Sequence, residues 1–213
     1  MVFKNFISAI QQRVRGSFRA SPQPLVYQGE WDIGKFNTDA FQAFREMVDT
    51  SDNYAEYGIG ASTVFAARNS SARIRAVETD PLWVEKVRGE IGERAEIIHA
   101  DLGPVGKLGR PLSYDKASNL DLYLDGPFDG GFSPDLVLID GRFRVACFLS
   151  ALLNSAPGTR LIFDDYHRGW YQVVEQILTP TKKLRRQGVF ERPKTINENA
   201  VRELREQFRF VMD

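Results

Sequence analysis

Cysteine is almost missing from this chain: Cys147 stands alone, inside the apolar run VACFLSALL. One cysteine excludes any disulfide within the chain, and in that setting it reads as a small packing residue of a reducing compartment, so the expected location is cytoplasmic. Excess charge is missing too, because 28 Lys and Arg balance 28 Asp and Glu. With no surplus of cations there is no broad basic field to grip a phosphate backbone, and nucleic acid is not an expected partner. No apolar run approaches the roughly 18 residues of a membrane span. The first twenty residues, MVFKNFISAIQQRVRGSFRA, also lack the long apolar core and small-residue cleavage site of a signal peptide.

What the chain does have is bulk enough for one α/β domain: 213 residues, 43% of them hydrophobic. Residues 1–36 divide from residues 37–213 by composition. The first 19 carry Lys4, Arg13, Arg15 and Arg19 with no acid, and Phe3, Ile7, Ile10 and Val14 fall at helical spacing. Such a basic amphipathic helix has two uses, peripheral contact with an anionic membrane surface or docking on its own domain or on a second copy in a homo-oligomer. Residues 20–36, with two prolines and two glycines, read as a connector. NTDAFQAFREMVDTS then predicts a helix capped by Asn37 or Thr38, with Phe41, Phe44 and Val48 on one face.

From residue 53 strand and helix patterns alternate. NYAEYG, RIRAVET, AEIIHAD, DLVLIDG and TRLIFDDY read as strands, and STVFAARNS, PLWVEKVRGEIG and VACFLSALLNSA as the helices between them. DLVLIDG is apolar on both faces, as a central parallel strand should be. The pattern predicts a Rossmann-like, doubly wound, mostly parallel sheet with helices on both faces. A further helix is expected at GWYQVVEQIL, antiparallel edge strands within KKLRRQGVFERP, and a last helix followed by a strand or tail from residue 197. Residues 103–134 are too long for a plain crossover. They read either as a decorated crossover covering the sheet, with a short helix in YDKASNLDLYL, or as a substrate lid.

The first strand leads into EYGIGAST. Gly58 and Gly60 allow a tight turn and close approach of a ligand to the backbone at the start of a helix. The dinucleotide fingerprint would require a glycine at position 63, which is Thr63. Glu56 would also repel a pyrophosphate, yet it suits a cofactor that carries an ammonium and a sulfonium. The charge pattern therefore favours S-adenosylmethionine (SAM) over NAD. Glu78 ends the second strand about 20 residues beyond the turn, where an acid accepts from both ribose hydroxyls. Asp101 ends the third, placed to accept from an adenine amino group or, more plainly, to cap a turn.

EYGIGAST, VETDP, HAD and DLVLIDG, in this order, resemble the successive motifs of the class I SAM-dependent methyltransferases over residues 38–178. Through DLGPVGKLGRP, LVLIDGRFRVAC and LIFDDY the chain is similar to a group of bacterial methyltransferase-like proteins of undefined substrate. The resemblance implies that Glu56, Gly58 and Gly60 line the methionine part of SAM, Glu78 the ribose and Asp101 the adenine. Ser62 departs from the third glycine of many members and would still offer a hydroxyl at the turn.

Methyl transfer needs an acceptor held in line with the sulfonium methyl and, for a hydroxyl, a group to take its proton. Asp140 follows the fourth strand, and Asp164 and Asp165 end the fifth. Neighbouring strand ends are neighbours in space, so three carboxylates should converge beside the methyl group. Mg²⁺ or another divalent cation would relieve their repulsion and could activate an acceptor hydroxyl. This resembles the metal-dependent small-molecule O-methyltransferases, with Asp164-Asp165 in place of their usual Asp-Asn. The plainer reading has Asp140 and Asp165 capping helices while Arg142 or Arg144 neutralises them.

Arg142 and Arg144 could otherwise bind an anionic group on the acceptor. His167 is the better general-base candidate of the two histidines, since His99 lies inside a strand. Tyr166, Trp170 and Tyr171 either wall an acceptor pocket or pack the following helix, and TKKLRRQ reads as a solvated face. The expected function is a SAM-dependent methyltransferase acting on a small molecule, with metal-assisted O-methylation as its finer form. A non-catalytic SAM-fold binding protein is the alternative. An NAD-dependent oxidoreductase fits less well, because Glu56 and Thr63 oppose it and no Tyr-x-x-x-Lys pair is evident.

Overall fold

The structure, a computed structural model, describes residues 38–212. The basic segment 1–19, the connector and the Asn37 cap lie outside the described residues. Seven strands form one sheet: β1 (Asn53–Tyr57), β2 (Arg73–Glu78), β3 (Ala95–His99), β4 (Leu136–Ile139), β5 (Arg160–Phe163), β6 (Lys182–Leu184) and β7 (Gln187–Glu191), in the order β3-β2-β1-β4-β5-β7-β6. The first five run parallel, and β7 is antiparallel to both β5 and β6. The helices are α1 (Thr38–Asp49), α2 (Ala61–Asn69), α3 (Pro81–Ile91), α4 (Leu120–Asp125), α5 (Arg144–Asn154) and α6 (Glu198–Phe208).

Side-chain alternation along the strands divides the core into two layers. Tyr54, Ile74, Ala76, Leu136, Leu138 and Ile162 face one cluster, filled by Phe44 and Val48 of α1, Val64 of α2, and Val84 and Val87 of α3. Ala55, Tyr57, Val77, Val137, Ile139, Leu161 and Phe163 face the other, filled by α4, α5 and α6. Local signals set the helix ends. Pro81 opens α3, Asp80 Oδ1 accepts from the Leu82 and Trp83 amides at 3.0 and 3.4 Å, and Gly92 closes it at φ 55°. Cys147 is fully buried in α5, as its apolar setting predicts.

Residues 103–134 are long for a topological reason. β3 lies at the sheet edge and β4 beyond β1, so the chain must recross β2 and β1 before β4 begins. It does so first as a hairpin closed by a Val105–Pro111 bridge, then through the short helix α4, whose Leu120, Tyr123 and Leu124 are buried. The antiparallel edge strands and the last helix stand where the sequence predicts them. GWYQVVEQIL differs, since residues Gly169–Gln176 wind as a 3₁₀-helix, with the Tyr171 and Ile177 amides donating to the carbonyls of Arg168 and Val174, both at 2.9 Å.

Candidate functional site

The carboxyl ends of the parallel strands are aligned, because each ladder runs one bond past its last strand residue. Gly58 N donates to Val77 O (2.9 Å), Ala100 N to Glu78 O (2.8 Å), Asp140 N to Tyr57 O (3.0 Å) and Asp164 N to Ile139 O (3.0 Å). Strand order reverses between β1 and β4, so the crevice of an open α/β sheet lies above these ends. Gly58, Glu78, Asp101, Asp140, Asp164 and Asp165 stand at or just past these exits, whereas Trp170 and Tyr171 lie farther on, in the 3₁₀-helix.

The two glycines serve different ends. Gly58 has φ 79°, and a Cβ there would stand 2.5 Å from Gly141 Cα, so packing within the protein alone demands glycine. A Cβ on Gly60 would meet nothing nearer than the Trp83 indole at 3.8 Å. The protein leaves room beside Gly60, which is what close approach of a ligand requires. Trp83 Nε1 donates to Ile59 O and steadies the turn from the α3 side.

Glu56 sits beneath this turn with no exposure. Its oxygens accept from Ser62 Oγ and from Thr63 Oγ1 (2.7 Å), while Thr63 Oγ1 accepts from Gly60 N (2.9 Å). Burial pushes the Glu56 carboxyl up to about 8, against the two hydroxyls that favour its charged form. Glu56, which the resemblance places along the methionine part, is buried and bonded to Ser62, whose hydroxyl does act at the turn; together they brace it from below. Thr63, read only as a missing glycine, is the third member of that brace.

Glu78 matches its expectation of place and adds an unforeseen cover. One oxygen accepts from the Thr79 and Asp80 amides (2.7 and 3.0 Å), and the other from the Ile59 amide (3.2 Å). The side chain thereby links the end of β2 to the glycine turn. Burial raises its carboxyl above the ordinary value, and these amides hold it back. Gly109 of the hairpin lies directly on this carboxylate. Asp101, by contrast, is open to solvent, caps the turn through Gly103 N (3.0 Å) and pairs with Lys116, whose ammonium holds its carboxyl below the ordinary value. It takes the plainer of its two sequence readings.

Asp140, Asp164 and Asp165 do converge, and arginine meets them. Arg144, nearly buried, contacts Asp140 at 2.7 Å, Asp165 at 3.4 Å and Asp164 at 3.8 Å, and donates to the carbonyls of Asp140, Gly141 and Asp164. Arg168 reaches Asp165 at 2.5 Å, Arg186 reaches Asp165 at 2.5 Å and Asp164 at 3.3 Å, and Gln187 Nε2 donates to Asp164 (3.2 Å). Burial alone would raise Asp165, but Arg144, Arg186 and Arg168 together hold it below its ordinary value. Asp140 stays above its own, raised by desolvation and by the two neighbouring acids against the pull of Arg144.

Arginine stands where a divalent cation was expected. The acids are neutralised by three guanidinium groups, and among the described residues no group of three or more His, Cys, Asp or Glu is arranged to hold a metal ion. The residues do not fit a divalent cation. Arg144 is buried, and its guanidinium contacts all three acids and three backbone carbonyls. Arg142 is partly exposed, and its Nε donates to Leu108 O (3.0 Å). His167 is exposed on the turn after β5, and no hydrogen bond among the described residues orients its ring toward the acids. Tyr166 and Tyr171 are buried against Phe163, so they pack rather than wall a pocket. Sequence reasoning missed Arg186 and Gln187, which belong to a run whose Lys182, Lys183 and Arg185 are indeed solvated. Gln187 opens β7, the antiparallel strand beside β5, and Arg186 sits in the turn before it, so their approach to the acids is a tertiary fact without local signal.

Comparison with known proteins agrees with this fold. A methyltransferase-like protein from Silicibacter pomeroyi superposes with a TM-score of 0.71 at 29% identity, covering 81% of this chain and 93% of that one. An RNA methyltransferase from Salinibacter ruber, in complex with S-adenosylhomocysteine (SAH), gives 0.47 at 20% identity over 76% of this chain and 95% of that one. An O-methyltransferase from Bacillus cereus, also with SAH, gives 0.44 at 19% over 94% and 76%. The last two are too distant to bear on fold or function, and the agreement rests on the first. No family model matches the chain, and no curated protein matches it. The fold is that of the class I SAM-dependent methyltransferases, as the sequence motifs imply.

Proposed function

We propose that the chain is a SAM-dependent methyltransferase acting on a small molecule. One juxtaposition carries the reading: Glu78 at the end of β2 is bonded to the Ile59 amide of the glycine turn, beside the space left open at Gly60. A carboxylate and an open glycine turn at the point where strand order reverses suit a nucleoside with a bulky 5′ substituent. The similar Silicibacter pomeroyi protein supports the reading by its fold and its methyltransferase-like description.

Glu78 would hold the ribose, and the Gly58–Gly60 backbone would lie along the amino-acid part. When bound, SAM supplies a methyl group on a positively charged sulfur. Asp140 is the one acid of the three with a substantial exposed side chain, at 34%, against 8% for Asp164 and 7% for Asp165. Its raised carboxyl is better matched than an ordinary aspartate to accept a proton near neutral pH. Asp164 and Arg144 position Asp140 rather than touch the acceptor. The metal-assisted form of the reaction is not part of the proposal.

Calorimetric titration with SAH and, separately, with NAD, each with and without Mg²⁺, tests the reading. SAH should bind with an affinity indifferent to Mg²⁺, and NAD should not bind. Binding of NAD alone would refute the cofactor assignment.

A further inference from the structure

We infer that the hairpin 104–112 is a strap across the cofactor crevice and that the nucleoside enters by lifting the strap tip; this rests on the cofactor reading above. The hairpin is a closed unit, with Gly106 N donating to Arg110 O and Leu112 N to Pro104 O, both at 2.8 Å. Its tip is bonded to both banks of the crevice. Thr79 Oγ1, just past β2, donates to Gly109 O at 2.5 Å, and Arg142 Nε, just past β4, donates to Leu108 O at 3.0 Å. β1 lies between those strands, so the tip bridges the two exits that flank the glycine turn.

The fit at the tip leaves no room for a sugar. A Cβ on Gly109 would stand 2.7 Å from Glu78 Oε1 and 2.8 Å from Thr79 Oγ1. A ribose hydroxyl approaching that oxygen from the same side would occupy the place of Gly109. The closed strap thus covers the carboxylate that the nucleoside must reach.

The tip also carries backbone strain. Leu108 is held at φ 58° and Gly109 at φ 67°, two left-handed residues in succession, and the leucine side chain is 71% exposed, with no burial to offset its strain. Beyond the tip the segment is fixed to the C-terminal tail, through Arg110 Nη2 to Met212 O (3.1 Å) and Tyr114 Oη to Phe210 O (2.9 Å). The tip is therefore the part free to move while its root stays in place. This differs from a lid over the acceptor, since what it covers is Glu78.

Stopped-flow binding of SAH, with hydrogen exchange of the 104–112 amides, tests the inference on the full chain. In the wild type the observed rate should level off as SAH is raised, because opening limits entry. Thr79→Val removes the hydroxyl tie at constant volume and should raise that plateau about tenfold while speeding exchange at the Arg110 amide, whose bond to Lys107 O (3.4 Å) spans the tip. Gly109→Ala should do the same by displacing the tip, and Thr79→Val decides the matter if that variant does not fold. SAH binding by Thr79→Val when the wild type binds none would support the strap in its strongest form. A rate linear in SAH and equal in all three proteins would overturn the strap and leave the cofactor reading standing. Absence of binding in all three would overturn both.

Discussion

At the scale of single residues, charge is governed by what the fold places beside it. Glu56 shows this through pH. Its carboxyl lies near 4.5 in the unfolded chain and is raised to about 8 in the folded one, so between those values the native state holds the extra proton. Its contribution to stability is fully present below 4.5 and is lost as pH rises toward 8, at up to about 1.4 kcal/mol per pH unit. Glu56→Gln should flatten that slope, and urea midpoints at pH 5 and pH 8 measure it; equal slopes in the two proteins would place the proton elsewhere. Arg144→Met should cost roughly 3–5 kcal/mol, because it leaves three converging carboxylates short of their shared counter-charge. Were Arg144 an acceptor ligand, the midpoint would stay put and only KM would rise. Glu78→Gln should weaken SAH binding by roughly 1–3 kcal/mol, with calorimetry as the check.

The same residues show how far the sequence could be read. The place of Glu78 at the end of β2 was legible because it follows from a fixed distance past a glycine turn, and strand periodicity preserves that relation. Convergence of Asp140, Asp164 and Asp165 was legible for a similar reason, since adjacent parallel strands bring their ends together. What answers them was not. Arg144 could be read as a ligand or a counter-charge, and Arg186 arrives from the turn between β6 and β7, whose place beside β5 no local pattern encodes. Spacing reveals where acids meet, whereas the identity of their partners depends on contacts between segments far apart in the chain.

At the scale of elements, the β1–α2 turn separates a glycine that packing demands from one that the fold leaves uncrowded. Gly58→Ala must force a Cβ against Gly141 at a positive φ, so the variant should lose several kcal/mol and express poorly. Gly60→Ala should fold with a melting point close to wild type and bind SAH more weakly, because the space it fills belongs to the ligand. If both variants melted early, the openness beside Gly60 would have no functional meaning. The strands and major helices could be read from apolar periodicity, and α4 from its short pattern. The hairpin could be read only as an excess of length, because its course is set by Thr79 and Arg142 on the strand ends it bridges.

At the scale of the whole molecule, ligand binding should appear as stability. SAH at about 100-fold over its Kd adds about 2.7 kcal/mol to the folded state. For a chain of this size that raises the melting point by roughly 5–10 °C. NAD should produce no shift, and a shift with NAD in place of SAH would point to a different cofactor.

The strand order has one more consequence, for the chain as it is made. β5 is an interior strand of the finished sheet, yet its outer neighbour β7 comes only after β6 in the chain. Until residues 187–191 emerge from the ribosome, the nascent sheet ends in an apolar edge, Leu161-Ile162-Phe163, with unpaired backbone groups. That interval is the moment at which the protein is most open to pairing with another copy, and Arg160, at the head of the strand, is the charge that stands guard over it.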